Sequence, residues 1–157
     1  MITIGVVSDT HGTLHPRALT VLREAGVERI LHAGDVGDYA VLSALAPVAP
    51  VLAVRGNVDR SCPVGDLPLE ARLEVGGVDI YMTHIGHVPH VWLPHLPTPR
   101  PAVAICGHSH AALVQTAGGV LFVNPGAAGT GRRFGRAQTL AILRVAGGKA
   151  EVDIIEL

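Results

Sequence analysis

Asp9-x-His11, Gly34-Asp35, Gly56-Asn57, Thr83-His84 and Gly107-His108-Ser109-His110 each follow directly on a short apolar run. Asp9, Asp35 and Asn57 offer oxygen donors, and His11, His84, His108 and His110 offer imidazole nitrogens. That mixture suits Mn, Fe, Ni or Zn. Seven donors exceed what one ion takes. Two ions roughly 3.5–4 Å apart need a shared carboxylate, and such a pair clamps a phosphoryl group while ionising a water into a nucleophile. This chemistry needs no serine or cysteine nucleophile, and the sequence has neither a G-x-S-x-G elbow nor a C-x-x-C pair. Turn chemistry alone would favour Gly, Pro, Asn and Asp at these places, without repeated histidine.

The elements that must position the clusters alternate along the first third of the chain. Ile2 to Val7 reads as a buried strand, and Pro16 to Ala25 as an amphipathic helix stopped by Gly26. Arg29 to His32, a helix around Asp38 to Ala46 and Val51 to Val54 repeat the unit, which implies parallel strands. After Asp59 the pattern changes. Leu69 to Val75 and Val78 to Thr83 flank Gly76-Gly77, a hairpin signature, so the sheet becomes mixed. A Pro-rich loop runs from Pro89 to Pro101, then the apolar run to Cys106. Further strands are expected at Ala112 to Thr116, Val120 to Val123, Thr139 to Val145 and Ala150 to Ile155. In open α/β sheets, ligands bind beyond the carboxyl ends of strands, so the five clusters can converge on one site. Glycines before Asp35, Asn57 and His108 allow sharp turns and close approach of backbone.

With 157 residues, one domain spanning 1–157 with one core is expected. A formal charge of −1 excludes a strongly basic nucleic-acid or membrane footprint, and 3% aromatic residues offer no stacking platform for long nucleic acid. No run reaches the roughly 18 apolar residues of a membrane span. Met1 to Val7 lacks the basic segment and long apolar core of a signal peptide, so a cytoplasmic location is expected, with Cys62 and Cys106 both free. The sequence leaves the oligomeric state open.

As an ordered set, D-T-H at Asp9 to His11, G-D at Gly34-Asp35, G-N at Gly56-Asn57, His84 and G-H-S-H at Gly107 to His110 resemble the calcineurin-like metallophosphoesterase superfamily. The small bacterial and archaeal phosphodiesterase branch is the nearest likeness, because it is similarly short and carries N-P-G, here Asn124-Pro125-Gly126. The resemblance implies one ion held by Asp9, His11, Asp35 and His110, and another by Asp35, Asn57, His84 and His108, with Asp35 as bridge. It implies two divalent ions, Mn favoured and Fe, Ni, Zn or Co as alternatives. The fold it implies is α/β: a two-sheet mixed β-sandwich flanked by helices, four layers in all. The residues alone leave a doubly wound sheet equally open. The activity implied is a dinuclear phosphoesterase, favouring phosphodiesters, with a metal-bridging hydroxide attacking phosphorus in line and a small phosphoester as substrate.

Many family members have His after the motif asparagine, where this chain has Val58. Valine cannot protonate a leaving group, and general acid help is typically worth 10²–10⁴-fold. His87 is the candidate replacement, beside its reading as a surface-loop histidine. Asp59 is expected to brace its loop through backbone hydrogen bonds. His15 and His32 read as structural, Trp92 as an anchor of the Pro-rich loop, and His90 and His95 as loop surface or pocket rim. The segment from Asn124 to Gly126 offers backbone N–H groups. Asn57 is, with His87, a candidate catalytic residue, and Asn57, Arg132 and Arg133 are candidate substrate-binding residues, the arginines through bidentate contact with phosphate. Gly126, Gly129 and Gly131 mark a segment able to order over substrate. Two other functions compete: a non-catalytic protein-interaction scaffold on the same fold, and a metal hydrolase of a non-phosphate substrate.

Overall fold

Along the first strand, Ile4 and Val6 face one way while Gly5 and Val7 face the other, and this alternation builds two cores back to back. The computed structural model describes residues 1–131 and 135–157. Strands β1 (Ile2–Val7), β2 (Arg29–His32) and β3 (Val51–Ala53) alternate with helices α1 (Pro16–Glu24) and α2 (Tyr39–Leu45). The strands pair in parallel, and β9 (Thr139–Ala146) and β10 (Lys149–Glu156) complete a sheet of order β10-β9-β1-β2-β3. A second sheet, β4-β5-β6-β8-β7, comprises β4 (Glu70–Val75), β5 (Val78–Thr83), β6 (Val103–Ile105), β7 (Leu113–Ala117) and β8 (Val120–Asn124).

The inner faces of the two sheets share one core, in which Ile4, Val6, Leu31, Ile80, Met82, Ile105 and Leu143 meet. On the outer face of the first sheet, Val7, Ile30 and Ile142 pack against Ala18 and Leu22 of α1 and Val41, Leu42 and Leu45 of α2. On the outer face of the second, Ala104 and Phe122 pack against Trp92. The result is the four-layer sandwich, and the doubly wound alternative is excluded by the second sheet. Within 89–101, taken above as a loop, α3 (Pro89–Trp92) forms a short helix because Pro89 sits at its first position and Trp92 is buried. Trp92 anchors that segment, whereas His90 and His95 are exposed.

Gly76-Gly77, Gly118-Gly119 and Gly147-Gly148 join hairpins by two residues with positive φ, as tight hairpin turns require. His15 caps α1, its Nδ1 accepting from Arg17 N at 3.2 Å, and Asp38 caps α2 by accepting from Ala40 N at 2.8 Å. Among the described residues, no helix is long and apolar enough to cross a membrane.

At Gly5 a Cβ would lie 2.3 Å from Leu22 Cδ2, so glycine sets how closely α1 seats on the sheet. Gly5→Val is expected to destabilise the protein by about 1–3 kcal/mol through overpacking, measured as a lower urea midpoint with unchanged m-value.

Candidate metal centre

β1, β2 and β3 run parallel in one sheet, and β5, β6 and β8 run parallel in the other. Their carboxyl ends deliver Asp9, Asp35, Asn57, His84, the 107–110 loop and Asn124 to one edge of the sandwich. Two groups of donors form there, Asp9-His11-His110 and Asp35-His84-His108, each with its ligand atoms within 4.8 Å of one another. Asp35 Oδ2 stands between the groups, 3.6 Å from His11 Nε2 and 3.3 Å from His84 Nε2. Asn57 Oδ1 lies 3.0 Å from both His84 Nε2 and His108 Nδ1. All seven donors singled out in the sequence are therefore brought together, and Asp35 occupies the shared position.

Placing them strains the backbone. Asp9, His11, Asp35, His108 and His110 have φ between 47° and 69°, and among the described residues they are the non-glycine residues with positive φ. Each such conformation costs about 1–2 kcal/mol, and clusters of them mark functional sites. The glycines before Asp35, Asn57 and His108 act mainly through close approach. A Cβ on Gly56 would lie 2.1 Å from Asp35 N, and one on Gly107 would lie 2.0 Å from Ser8 Oγ.

Hydrogen bonds aim the donors. His84 Nδ1 donates to Ala33 O at 2.7 Å, so that once the ring is neutral its Nε2 lone pair faces the centre. Asp9 Oδ2 accepts from Ser8 Oγ at 2.7 Å and from His108 N at 3.0 Å. Asp9 Oδ1 is buried and makes no hydrogen bond. A buried carboxylate oxygen left so is costly unless a cation meets it, and the oxygen-and-imidazole set around it suits divalent metals. The residues fit such ions.

Asp59 braces its loop as expected: Oδ2 accepts from Val36 N at 3.1 Å and Gly56 N at 2.8 Å, and Oδ1 accepts from Gly37 N at 2.8 Å. His32 is structural too. It accepts from Gly34 N at 3.2 Å and lies 3.0 Å from Thr10 Oγ1, which itself donates to Val36 O. Burial pushes the His32 imidazole down to about 4, so it stays neutral. Ser8 and Thr10 were missed by the sequence reading; their only signal there was adjacency to Asp9. The expectation for Asn124 to Gly126 is corrected. Gly126 N is committed to Asn124 Oδ1 at 3.0 Å, Pro125 has no N–H, and the segment acts through Asn124 Nδ2, which donates to Gly107 O at 2.9 Å.

His87 is exposed and, with His108, lines a cavity beside the centre. Gly129 and Gly131 line a small cleft with Asp9 and His11. Arg132 and Arg133 lie outside the described residues. Both cysteines are free, Cys62 exposed and Cys106 buried. Burial pushes the Cys106 thiol up to about 12, so it is neutral lining and no nucleophile.

The family model of the calcineurin-like phosphoesterase superfamily domain matches residues 2–148. The chain belongs to that superfamily. Among its relatives, a probable metallophosphoesterase of Methanocaldococcus jannaschii is 33% identical over 134 residues, 78% of this chain and 66% of the relative. A probable metallophosphoesterase of Methanothermobacter thermautotrophicus is 31% identical over 97% of this chain and 91% of its own length. The fold of this superfamily member is also that of a solved archaeal phosphodiesterase, with TM-score 0.80 and 24% identity over 98% of this chain and 100% of that one. Vps29 of Entamoeba histolytica, solved in complex with Zn²⁺, superposes with TM-score 0.77 at 19% identity, covering 99% of both chains.

The charges at the centre predict how it takes up metal. Burial pushes the Asp9 carboxyl up to about 6, although Ser8 and the His84 charge pull it down. Burial also pushes Asp35 up, but its hydrogen bond with His84, the Val58 amide and the His84 and His11 charges outweigh it and hold Asp35 low. Below about pH 6 a proton on Asp9 must leave before an ion binds. Burial lowers His84, but its hydrogen bond with Asp35 and the Asp9 charge outweigh that and raise it above 6.5, so its proton must leave as well. Apparent Mn²⁺ affinity is thus expected to rise from pH 5 through 7.5, by up to about tenfold per pH unit for each proton displaced. Calorimetric titrations at pH 5, 6 and 7.5 check this.

Proposed function

We propose that this chain is a dinuclear metal-dependent phosphodiesterase. The observation that carries the reading is Asp35 Oδ2 between two donor groups, beside a buried Asp9 oxygen that no hydrogen bond satisfies. One site is assigned Asp9, His11, Asp35 and His110, and the other Asp35, Asn57, His84 and His108. Mn²⁺ is favoured, with Fe, Ni, Zn or Co as alternatives. Two such ions, when bound by these residues, would supply positive charge to the phosphoryl oxygens and lower the pKa of a water that serves as nucleophile.

The chain's own residues supply the rest. Asn57 is exposed with His108 and is assigned to both metal and substrate, because the open face of the centre lies there. Val58 contributes no proton, which favours esters with stable leaving groups. His87, at the cavity that His108 also lines, is assigned to protonate poorer leaving groups. Arg132 and Arg133 are assigned to substrate phosphate on sequence grounds alone. Preference for a diester fits the electrostatics, since its single negative charge asks less neutralisation than a monoester dianion. Arg55 and Arg60, which line neighbouring cavities, donate to backbone carbonyls of Gly65 and Asn57. A cytoplasmic setting accords with two free thiols.

Likeness to Vps29 keeps a scaffold as the second reading. The test strips metal, restores Mn²⁺ and compares bis(p-nitrophenyl) phosphate with p-nitrophenyl phosphate. Expected is Mn²⁺-dependent turnover favouring the diester and lowered at least about 100-fold by Asp35→Asn, since even the groups that support metal ligands cost 10–100-fold. Two bound ions with no turnover of either ester would favour the scaffold. A separate comparison addresses the proton donor. His87→Asn is expected to lower kcat/KM for alkyl leaving groups by about 10²-fold and to spare p-nitrophenolate departure, read from the leaving-group dependence of the rates.

A further inference from the structure

Beside His108 the edge of the sandwich opens into a cavity of about 240 Å³. Gly86 and Val88 line it from the segment after β5, and Ala112 and Leu113 from the segment that enters β7. The lining is held in shape by what lies behind it. A Cβ on Gly86 would sit 2.7 Å from Cys106 Cβ and 2.9 Å from Trp92 Cζ3, so this segment is pressed onto the buried Trp92 ring. Trp92 in turn packs on Phe122, with ring centroids 5.6 Å apart. Pockets that hold whole drug-sized ligands span roughly 300–1,000 Å³. This cavity therefore suits one fragment of a ligand, a single ring or a short branched chain.

His87, His108, Ser109 and Asn124 supply the polar part of the lining, and the Ser109 hydroxyl has capacity to spare. Ser109 Oγ accepts from Asn124 Nδ2 at 3.0 Å and from Ala111 N at 3.2 Å. Both lone pairs of that oxygen are engaged, which leaves its O–H to donate. His108, a donor of the centre, and Ser109 both line the cavity, so the cavity adjoins the centre.

We infer that this cavity is the subsite for an uncharged apolar substituent of the phosphodiester, a single ring or short branched chain, with the Ser109 hydroxyl donating to an acceptor atom of the substrate. The inference rests on the phosphodiesterase reading for the identity of the phosphoryl group, but occupancy of the cavity does not depend on turnover. Ester selectivity is set here by Gly86, Val88, Ala112 and Leu113.

Two measurements separate the claims. Amide shifts of the Zn²⁺-loaded and metal-stripped protein are followed during titration with millimolar phenol, with methanol as control. Phenol is expected to shift residues 86–88 and 111–113 and to quench Trp92, the chain's single tryptophan. The second measurement compares phenyl p-nitrophenyl phosphate with methyl p-nitrophenyl phosphate. The phenyl ester is expected to have at least about tenfold higher kcat/KM, the scale on which small apolar groups are discriminated. Ala112→Phe and Val88→Trp, both at exposed positions, fill the cavity by different routes. Either is expected to abolish the phenol shifts and bring the ratio near unity, the loss falling on the phenyl ester. Absence of phenol shifts at these residues, or a phenyl preference that survives both variants, overturns the subsite. Phenol shifts without turnover of either ester would uphold the subsite and overturn the phosphodiesterase reading.

Discussion

Two carboxylates, Asp9 and Asp35, lie 1% and 3% exposed at one edge of the sandwich, and the cost of burying like charges together organises everything around them. An isolated buried carboxylate loses several kcal/mol of hydration, so it must be protonated, hydrogen-bonded or met by positive charge. The two groups meet this cost differently. Asp35 is held ionised by His84, His11 and the Val58 amide, whereas burial drives Asp9 toward its neutral form. His84 is their common neighbour, 3.3 Å from Asp35 Oδ2 and 3.9 Å from Asp9 Oδ1. Burial pushes His84 down, yet its hydrogen bond with Asp35, the Asp9 charge and the Ala33 carbonyl outweigh that and raise it. Without ions the centre is a compromise among protons, which divalent cations held by these donors would relieve.

That compromise persists only because the surrounding backbone is held. Five donors in left-handed conformations together cost on the order of 5–10 kcal/mol, comparable with the net stability of a domain. The restraint comes from polar groups placed just behind the donors. Asp59 gathers the amides of Val36, Gly37 and Gly56, binding the Asp35 loop to the Asn57 loop. His32 and Thr10 bind the Asp9 loop to the Gly34 turn, and Asn124 secures the loop carrying His108 and His110. These groups make hydrogen bonds in a buried, low-dielectric setting, where they strengthen and where leaving any one unmade is costly. Strain and restraint are thus two halves of one device.

Much of this was legible in the sequence, for identifiable reasons. The donors follow strands directly, and donor type at a strand exit is a local property that periodicity and chemistry both report. Asp59 could be read as a brace because Asp accepts readily from nearby amides in turns. The division into two sheets was not legible from the residues. β3 and β6 are three residues long, and the first sheet is completed by β9 pairing antiparallel with β1 from the far end of the chain. Only tertiary pairing decides that. Asn124 was misread because local motif logic counted its segment's backbone donors, whereas the fold turns its side chain onto the neighbouring loop. The cavity beside His108 was invisible for the same reason, since its lining joins the segments that follow β5 and β6 with the first residue of β7 and the last of β8.

The same sheets and helices serve proteins as different as a phosphodiesterase and Vps29, so the architecture cannot decide what the edge does. What decides it is how the donors are graded from interior to surface. Asp9, Asp35, His84 and His110 are buried, His11 is half-buried, and Asn57 and His108 are exposed. A purely structural metal site is closed on all sides by protein ligands, whereas a catalytic one keeps an open position. Here the opening lies toward Asn57 and His108, which is also where the cavity begins. The cavity that opens there is lined in part by the apolar side chains of Val88 and Leu113. Rigid donors behind, an open face in front and an apolar recess beside it make a site whose main contribution is positioning and charge. It is this grading, more than the sheets, that separates the edge from a closed structural metal site.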